Sequence, residues 1–229
     1  MRKLVLFDID GTLVKVEGIS RNALIEALRK VYGSEGSAAT YSFAGKMDGV
    51  IIYEVMRESG LLDNHIQARF EDVKQTYIDI FKQCAEQNHV QLLDGVVALL
   101  DELAAHSDVV LGLLTGNFED SGRHKLALSG INHYFSFGAF AEDGHERIDL
   151  PEVAVDRAYH RTGKRFTGKD VVIIGDTEHD VRCAKVLNSK CIAVATGYYS
   201  IESLEAGKPD HVVENLRDTT RIKEMILSE

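Results

Sequence analysis

No stretch of the 229-residue chain approaches the run of about 18 apolar residues that a membrane-spanning helix needs. The N-terminus offers Arg2 and Lys3 but only four apolar residues before Asp8, too few for a secretory signal. Cysteine is scarce: Cys84, Cys183 and Cys191 are odd in number, far apart and without a CxxC pattern. That excludes a disulfide framework and a thiolate metal site, and reads as reduced thiols of a cytoplasmic protein. Proline is limited to Pro151 and Pro209, and no repeat or low-complexity tract interrupts the chain. Positive charge is in deficit, with 26 Lys+Arg against 36 Asp+Glu and a net charge of −10. Such a surface argues against a nucleic-acid binder, although a few local cations can still receive an anionic substrate.

What is present is an ordinary globular composition, 45% hydrophobic and 27% charged, on a chain long enough to bury a core without staples. Short apolar runs at Lys3–Phe7, Val109–Leu114, Tyr134–Phe140, Val171–Ile174 and Cys191–Ala195 read as buried strands, with a weaker one at His211–Val213. Helical spacing separates them, as in Val96, Leu99, Leu100 and Leu103. Pro151 suits the first turn of a helix running to about Thr162. Strands alternating with helices predict an α/β fold, a Rossmann-like parallel sheet covered on both faces.

The segment 16–91 differs. It carries no convincing strand, and Ser20–Tyr32, Val50–Ser59 and Ile66–Gln87 read as helices. We therefore expect a catalytic core formed by residues 1–15 and 92–229, with residues 16–91 inserted as an all-helical cap.

Ligands of open parallel sheets bind beyond the carboxyl ends of the strands. Asp8, Asp10, Gly11 and Thr12 follow the first run, and Thr115, Gly116 and Asn117 the second. A loop holding Arg147 follows the third, and Asp176 and Asp180 follow the fourth. Four carboxylates on one edge repel one another and call for a cation. Hard oxygen ligands with open positions suit Mg²⁺, with Asp8 and Asp176 as direct ligands. Asp8, kept ionised, can also attack phosphorus. In extended backbone Asp8 and Asp10 point the same way, so one can attack while the other moves the leaving group's proton. Thr115 and the backbone N–H groups around Gly116 offer an anion nest, and Arg147 can neutralise the transferring group.

Each piece also has a plainer reading. DIDGT can be a strand end and turn, TGN a turn, GDTEHD a capped helix start, and Arg147 a solvated side chain. Their order and shared edge favour the site. Lys46, in Gly45-Lys46-Met47-Asp48-Gly49, is a candidate substrate-facing cation from the cap, its alternative being a solvated loop lysine.

Taken together, Asp8-Ile9-Asp10-Gly11-Thr12, Leu114-Thr115-Gly116-Asn117 and Gly175-Asp176-Thr177-Glu178-His179-Asp180 resemble the motifs of the haloacid dehalogenase-like hydrolase superfamily, nearest its phosphoglycolate phosphatase-like branch. The resemblance implies Mg²⁺, a small phosphorylated metabolite as partner, and an aspartyl-phosphate on Asp8. Asp10 would be the acid and then the base, with its backbone carbonyl on the metal. Thr115 would bind the phosphoryl oxygen, Asp176 would ligate the metal, and Asp180 would support it. Gly11, Thr12, Gly116 and Asn117 would complete the phosphate site. The resemblance also shows a departure: the branch usually carries a Lys-Pro-x-Pro stretch where this chain reads His145-Glu146-Arg147-Ile148-Asp149-Leu150-Pro151. Arg147 is the substitute expected here. Lys125 is set aside because helix rise places it about 15 Å beyond Thr115. A phosphomutase of the β-phosphoglucomutase type and a non-catalytic phosphometabolite-binding module are the alternatives; Thr12 speaks against the first and the retained Asp8 against the second.

Overall fold

The computed structural model describes residues 2–228. The chain opens with β1 (Lys3–Phe7) and the short β2 (Val14–Val16). Helices α1 (Ile19–Tyr32), α2 (Asp48–Glu58), α3 (Asp63–Ala68) and α4 (Phe70–Cys84) follow, and the chain returns through β3 (Val90–Leu92). From there helices and strands alternate: α5 (Val96–Ala104), β4 (Val109–Leu114), α6 (Glu119–Leu128), β5 (Gly138–Ala139) and α7 (Leu150–Thr162). The chain ends with β6 (Val171–Gly175), α8 (Glu178–Val186), β7 (Lys190–Val194), α9 (Ile201–Ala206), β8 (His211–Val213) and α10 (Thr219–Leu227).

Six strands form one sheet in the order β5-β4-β1-β6-β7-β8, every pairing parallel. All five residues of β1 are buried, because the strand is central and covered on both faces. Its side chains alternate between the two cores: Leu4 and Leu6 join the core that continues into the inserted helices, whereas Val5 and Phe7 join the opposite one. Each such Leu or Phe stabilises the fold by about 2 kcal/mol. The chain moves outward from β1 on one side through β4 and β5, then crosses to β6 on the other. The carboxyl end of β1 is therefore the topological switch point, where a crevice opens.

The inserted helices sit over that crevice. Ala23, Leu24, Ala27, Leu28 and Val31 give α1 one buried face, which packs along α4. At the entry and exit of the insert, β2 and β3 pair antiparallel, Val14 with Leu92 and Val16 with Val90.

Three local expectations change. The segment Ile66–Gln87 is two helices, with Arg69 at the break; its Nε donates to Asp72 and its Nη1 donates to the Val31 carbonyl. The run Tyr134–Phe140 pairs as a strand only at Gly138–Ala139, after a short 3₁₀ turn at Asn132–Tyr134. Its phenylalanines are buried for packing rather than for sheet pairing: Phe135 meets Phe7 edge-on at 5.9 Å. Strand pairing also touches the insert's two ends, where the sequence pattern showed only helices.

Candidate active site

Asp8 follows directly on β1 and is 4% exposed. Its backbone N–H donates to the Ile174 carbonyl at 3.0 Å, which ties it to the neighbouring strand that delivers Asp176. Beyond it the chain must turn back at once. Gly11 adopts φ +83°, and a Cβ there would lie 2.4 Å from Asp176 Oδ2. Glycine is needed at this position both for the turn and for room beside the carboxylate.

Asp8, Asp176 and Asp180 bring carboxylate oxygens within 4.8 Å of one another, all buried. Burial, then Asp180 and Asp10, push Asp8 up to about 6 although Arg147 opposes them. Burial, Asp8 and Asp180 push Asp176 well above the usual carboxylate range. These are groups held short of a positive charge, and the all-oxygen donor set fits a hard divalent cation. Asp180 is the most committed of the three. Its Oδ2 accepts from the Thr177 N–H at 3.0 Å and hydroxyl at 2.7 Å, capping α8, and its Oδ1 accepts from Arg147 at 2.6 Å. Among side-chain oxygens, Asp8 and Asp176 are thus the freer ligands, with Asp180 holding their surroundings.

Arg147 comes from the short 3₁₀ turn Arg147–Asp149 before α7 and is 7% exposed. Its Nη2 lies 3.1 Å from Asp8 Oδ1 as well as 2.6 Å from Asp180. Its Nη1 donates to the Gly45 carbonyl of the insert at 3.0 Å. Burial acts against its charge, but Asp180 and Asp8 more than offset that, so it stays a fixed cation. Its buried Nε has no hydrogen-bond partner among the described residues.

Asp10 belongs to a second network. Lys125 Nζ lies 2.9 Å and 2.7 Å from its two oxygens and donates to Asn117 Oδ1 at 2.6 Å. Asn117 Nδ2 in turn donates to Asp10 at 2.8 Å and to Thr115 Oγ1 at 2.8 Å. This corrects the expectation that Lys125 lies out of reach. A straight helix from Thr115 overstates the separation, because α6 begins only at Glu119 after a loop. Lys125 is therefore less than two turns into the helix, and its long side chain leans back toward the helix start. Nothing in the spacing marked it, although its 3% exposure is unusual for a lysine.

The remaining expected residues divide. Asp8, Asp10, Gly11, Thr115, Gly116, Asn117, Arg147 and Asp176 line one cavity of about 470 Å³, together with Lys46 and Lys125. Thr12 does not face it. It is fully buried and its hydroxyl donates to Asp176 Oδ1 at 3.3 Å, so it orients a carboxylate rather than lining the phosphate site. Lys46 lines the cavity with its ammonium engaged by Glu54 at 2.9 Å and by the Tyr41 hydroxyl.

The insert is fastened over this cavity by its Gly45–Gly49 segment. Besides the Arg147 bond, Asp48 N–H donates to the Gly116 carbonyl at 2.7 Å, and Asp48 Oδ2 accepts from Phe118 N–H at 2.9 Å. Burial pushes Asp48 up to about 6, with Lys125 and the Phe118 N–H opposing. Phe118 itself projects from the core into the insert, 6.3 Å from Phe70 and 6.2 Å from Tyr77 between ring centroids. No sequence pattern marks Asp48 or Phe118 for this role.

Comparison with known proteins agrees with the geometry. Residues 5–194 match the family model described as haloacid dehalogenase-like hydrolase. The phosphoglycolate phosphatase of Photorhabdus laumondii is 24% identical over 217 residues, covering 94% of this chain and 90% of its own. The pyrophosphatase PpaX of Bacillus velezensis is 26% identical over 227 residues, covering 95% and 94%. Among solved structures, a hydrolase from Pseudomonas syringae superposes with a TM-score of 0.73 at 21% identity, over 100% of both chains.

Proposed function

The chain belongs to the haloacid dehalogenase-like hydrolases, and from that premise we propose that it is a Mg²⁺-dependent phosphatase that hydrolyses a small phosphomonoester, phosphoglycolate phosphatase-like in kind. The observation that carries this reading is the position of Asp8. It ends the central strand beside Arg147, at the floor of a cavity that also holds Asp10, Thr115 and Asp176.

Asp8 attacks phosphorus, the bond to the leaving oxygen breaks, and an aspartyl-phosphate forms on the carboxylate. Asp10, held in place by Lys125 and Asn117, gives a proton to the departing alkoxide. It then takes one from the water that hydrolyses the acyl phosphate, releasing inorganic phosphate and regenerating Asp8. Thr115 and the backbone around Gly116 receive phosphoryl oxygens. Arg147 supplies the charge that the branch normally draws from a lysine, and its planar fork suits phosphate. Asp8, the Asp10 carbonyl and Asp176, with Asp180 in support, would hold the divalent cation, which would supply positive charge against the negative charge gathered on the transferring group.

Residues 16–91 act as a cap domain that excludes bulk water while the acyl phosphate exists. Three free cysteines and the absence of a membrane-crossing helix among the described residues support placing the enzyme in the cytoplasm. The test is release of phosphate from p-nitrophenyl phosphate with Mg²⁺ by the wild type and its loss in Asp8→Asn. Undiminished release by Asp8→Asn, or none from any ester of a broad panel, overturns the reading. Isomer formation from a hexose phosphate in place of phosphate release would point to a mutase.

A further inference from the structure

Among the cavity-lining cations that the chemistry above leaves unused, Lys15, Lys46 and Arg21, the last stands apart. Arg21 lies in the first turn of α1, on the cap side. Its Nη1 donates to the Ala38 carbonyl at 2.5 Å and the Tyr41 carbonyl at 2.8 Å, and the guanidinium lies 4.0 Å from the Phe43 ring centroid. Those partners fix the group without neutralising it. Every other cation lining the cavity has a carboxylate: Lys15 has Glu17, Lys46 has Glu54, Lys125 has Asp10, and Arg147 has Asp8 and Asp180. Arg21 pairs with none among the described residues.

A second observation points the same way. The 14-residue α1 starts at Gly18 with no capping side chain and no acidic residue in its first turn. The backbone N–H groups of Ser20 and Arg21 make no backbone hydrogen bond among the described residues. Ser20 Oγ is buried, and the Tyr77 hydroxyl is the group beside it among the described residues. This end of the cavity therefore presents a guanidinium and a positive helix end with no carboxylate to meet them among the described residues. The one cap-side carboxylate in the cavity, Asp48, is occupied by Phe118 N–H.

We infer that the substrate's leaving group ends in a second anionic group, a carboxylate or a phosphate, received by Arg21 with Ser20 and the start of α1. The inference rests on the phosphatase reading for its orientation: the transferred phosphate lies at Asp8 and the second anion at the cap. A cavity of about 470 Å³ admits a compact molecule with both ends charged. A neutral tail would leave a desolvated guanidinium without a counter-charge.

Affinity is read by isothermal titration of the Asp8→Asn protein with Mg²⁺, using phosphoglycolate, ethylene glycol bisphosphate and ethyl phosphate as probes. At least one anionic-tailed probe is expected to bind about tenfold or more tighter than ethyl phosphate, as a charge-assisted bidentate contact would give. The tighter of the two identifies the tail as carboxylate or phosphate. Adding Arg21→Gln is expected to bring the ratio to within about twofold, and Arg21→Lys, which keeps charge but loses the planar fork, to leave an intermediate ratio. If Arg21→Gln does not fold, Arg21→Lys carries the test through its partial loss. A purely structural role for Arg21 would weaken all probes together and preserve the ratio. That result, or equal binding of the three probes before Arg21 is changed, overturns the inference. Should the wild type release no phosphate from any ester while Asp8→Asn shows the ratio and its loss, the phosphatase reading fails and the anion subsite stands.

Discussion

Lys125 Nζ sits 2.7 Å from Asp10 Oδ2, under a roof of Phe81, whose ring centroid is 5.8 Å away. The lysine comes from the core and the phenylalanine from the insert, so the carboxylate proposed to move the proton is held by a cation that the insert helps to cover. Lys125→Met keeps the length of the side chain and removes the charge. We expect kcat on the best substrate to fall about 10²-fold, the scale of a misplaced general acid–base group. KM should change by less than about threefold, because Lys125 meets Asp10 and not the phosphate. A large KM effect with unchanged kcat would assign Lys125 to substrate binding instead.

Arg147 has a different burden. It is the counter-charge of two buried carboxylates, Asp8 at 3.1 Å and Asp180 at 2.6 Å. Taking away one partner of a buried ion pair leaves uncompensated charge and costs about 3–5 kcal/mol. Arg147→Met should therefore lower Tm by about 10 °C in metal-free protein and reduce kcat/KM at least 10²-fold. Arg147→Lys should recover much of the Tm, since one ammonium can sit between the carboxylates. It should not recover the bond to the Gly45 carbonyl, and with it the full rate. Differential scanning fluorimetry beside steady-state kinetics reads both. Full kcat/KM in Arg147→Met would remove Arg147 from the catalytic set.

How far the sequence could be read follows from what kind of signal each feature leaves. The sheet was visible because β1, β4, β6 and β7 are buried over most of their length and, apart from Lys3 and Lys190 at two strand starts, carry no charged residue. Asp8, Asp10, Thr115, Asp176 and Asp180 were visible because each lies within a few residues of such a strand end. Arg147 could be found because it lies in a strand-to-helix loop. Lys125, Arg21 and Asp48 lie on helices, and only the tertiary fold turns those positions toward the cavity. A lysine at mid-helix looks the same in sequence whether it is solvated or closes on Asp10. The break at Arg69 was hidden for the same reason: it is fixed by a bond to Val31, 38 residues away.

If residues 16–91 act as the proposed cap, its closure should depend on glycine at Gly45. The residue has φ +69°, and a Cβ there would lie 2.6 Å from His179 Cδ2 and 3.0 Å from Thr177 Oγ1. Gly45→Ala must therefore lift the segment whose carbonyl Arg147 holds. The expected outcome is a rise in KM of about tenfold and faster cleavage of the insert by protease, with the core sheet intact by circular dichroism. Gly45→Ala/His179→Ala removes the closest clash and should regain part of the loss. The backbone strain of about 1 kcal/mol for a non-glycine residue in the left-handed region would remain. No change in KM or protease sensitivity would mean that the Gly45 contact does not govern closure.

The buried carboxylates also make stability depend on pH and metal together. Asp8 is raised from 3.8 to about 6, and Asp176 is raised as well. A carboxyl group with a raised value in the folded state favours folding while protonated. That contribution is fully present below about 3.8, and it is lost as pH rises through about 6. Metal-free protein should thus have a lower Tm at pH 7.5 than at pH 5.0. Divalent cation acts oppositely, since it needs the ionised groups. At a concentration of about 100 times its Kd, Mg²⁺ adds about 2.7 kcal/mol, or about 5 °C or more in Tm for a chain of this size, at pH 7.5. At pH 5.0 the gain should be clearly smaller, because protons compete for the same oxygens. Asp176→Asn separates this from the general effect of the −10 net charge. That variant should be more stable than the wild type without metal at pH 7.5 and respond little to Mg²⁺. Equal Mg²⁺ shifts at the two pH values, or an unaltered response in Asp176→Asn, would show that the cluster does not hold the cation.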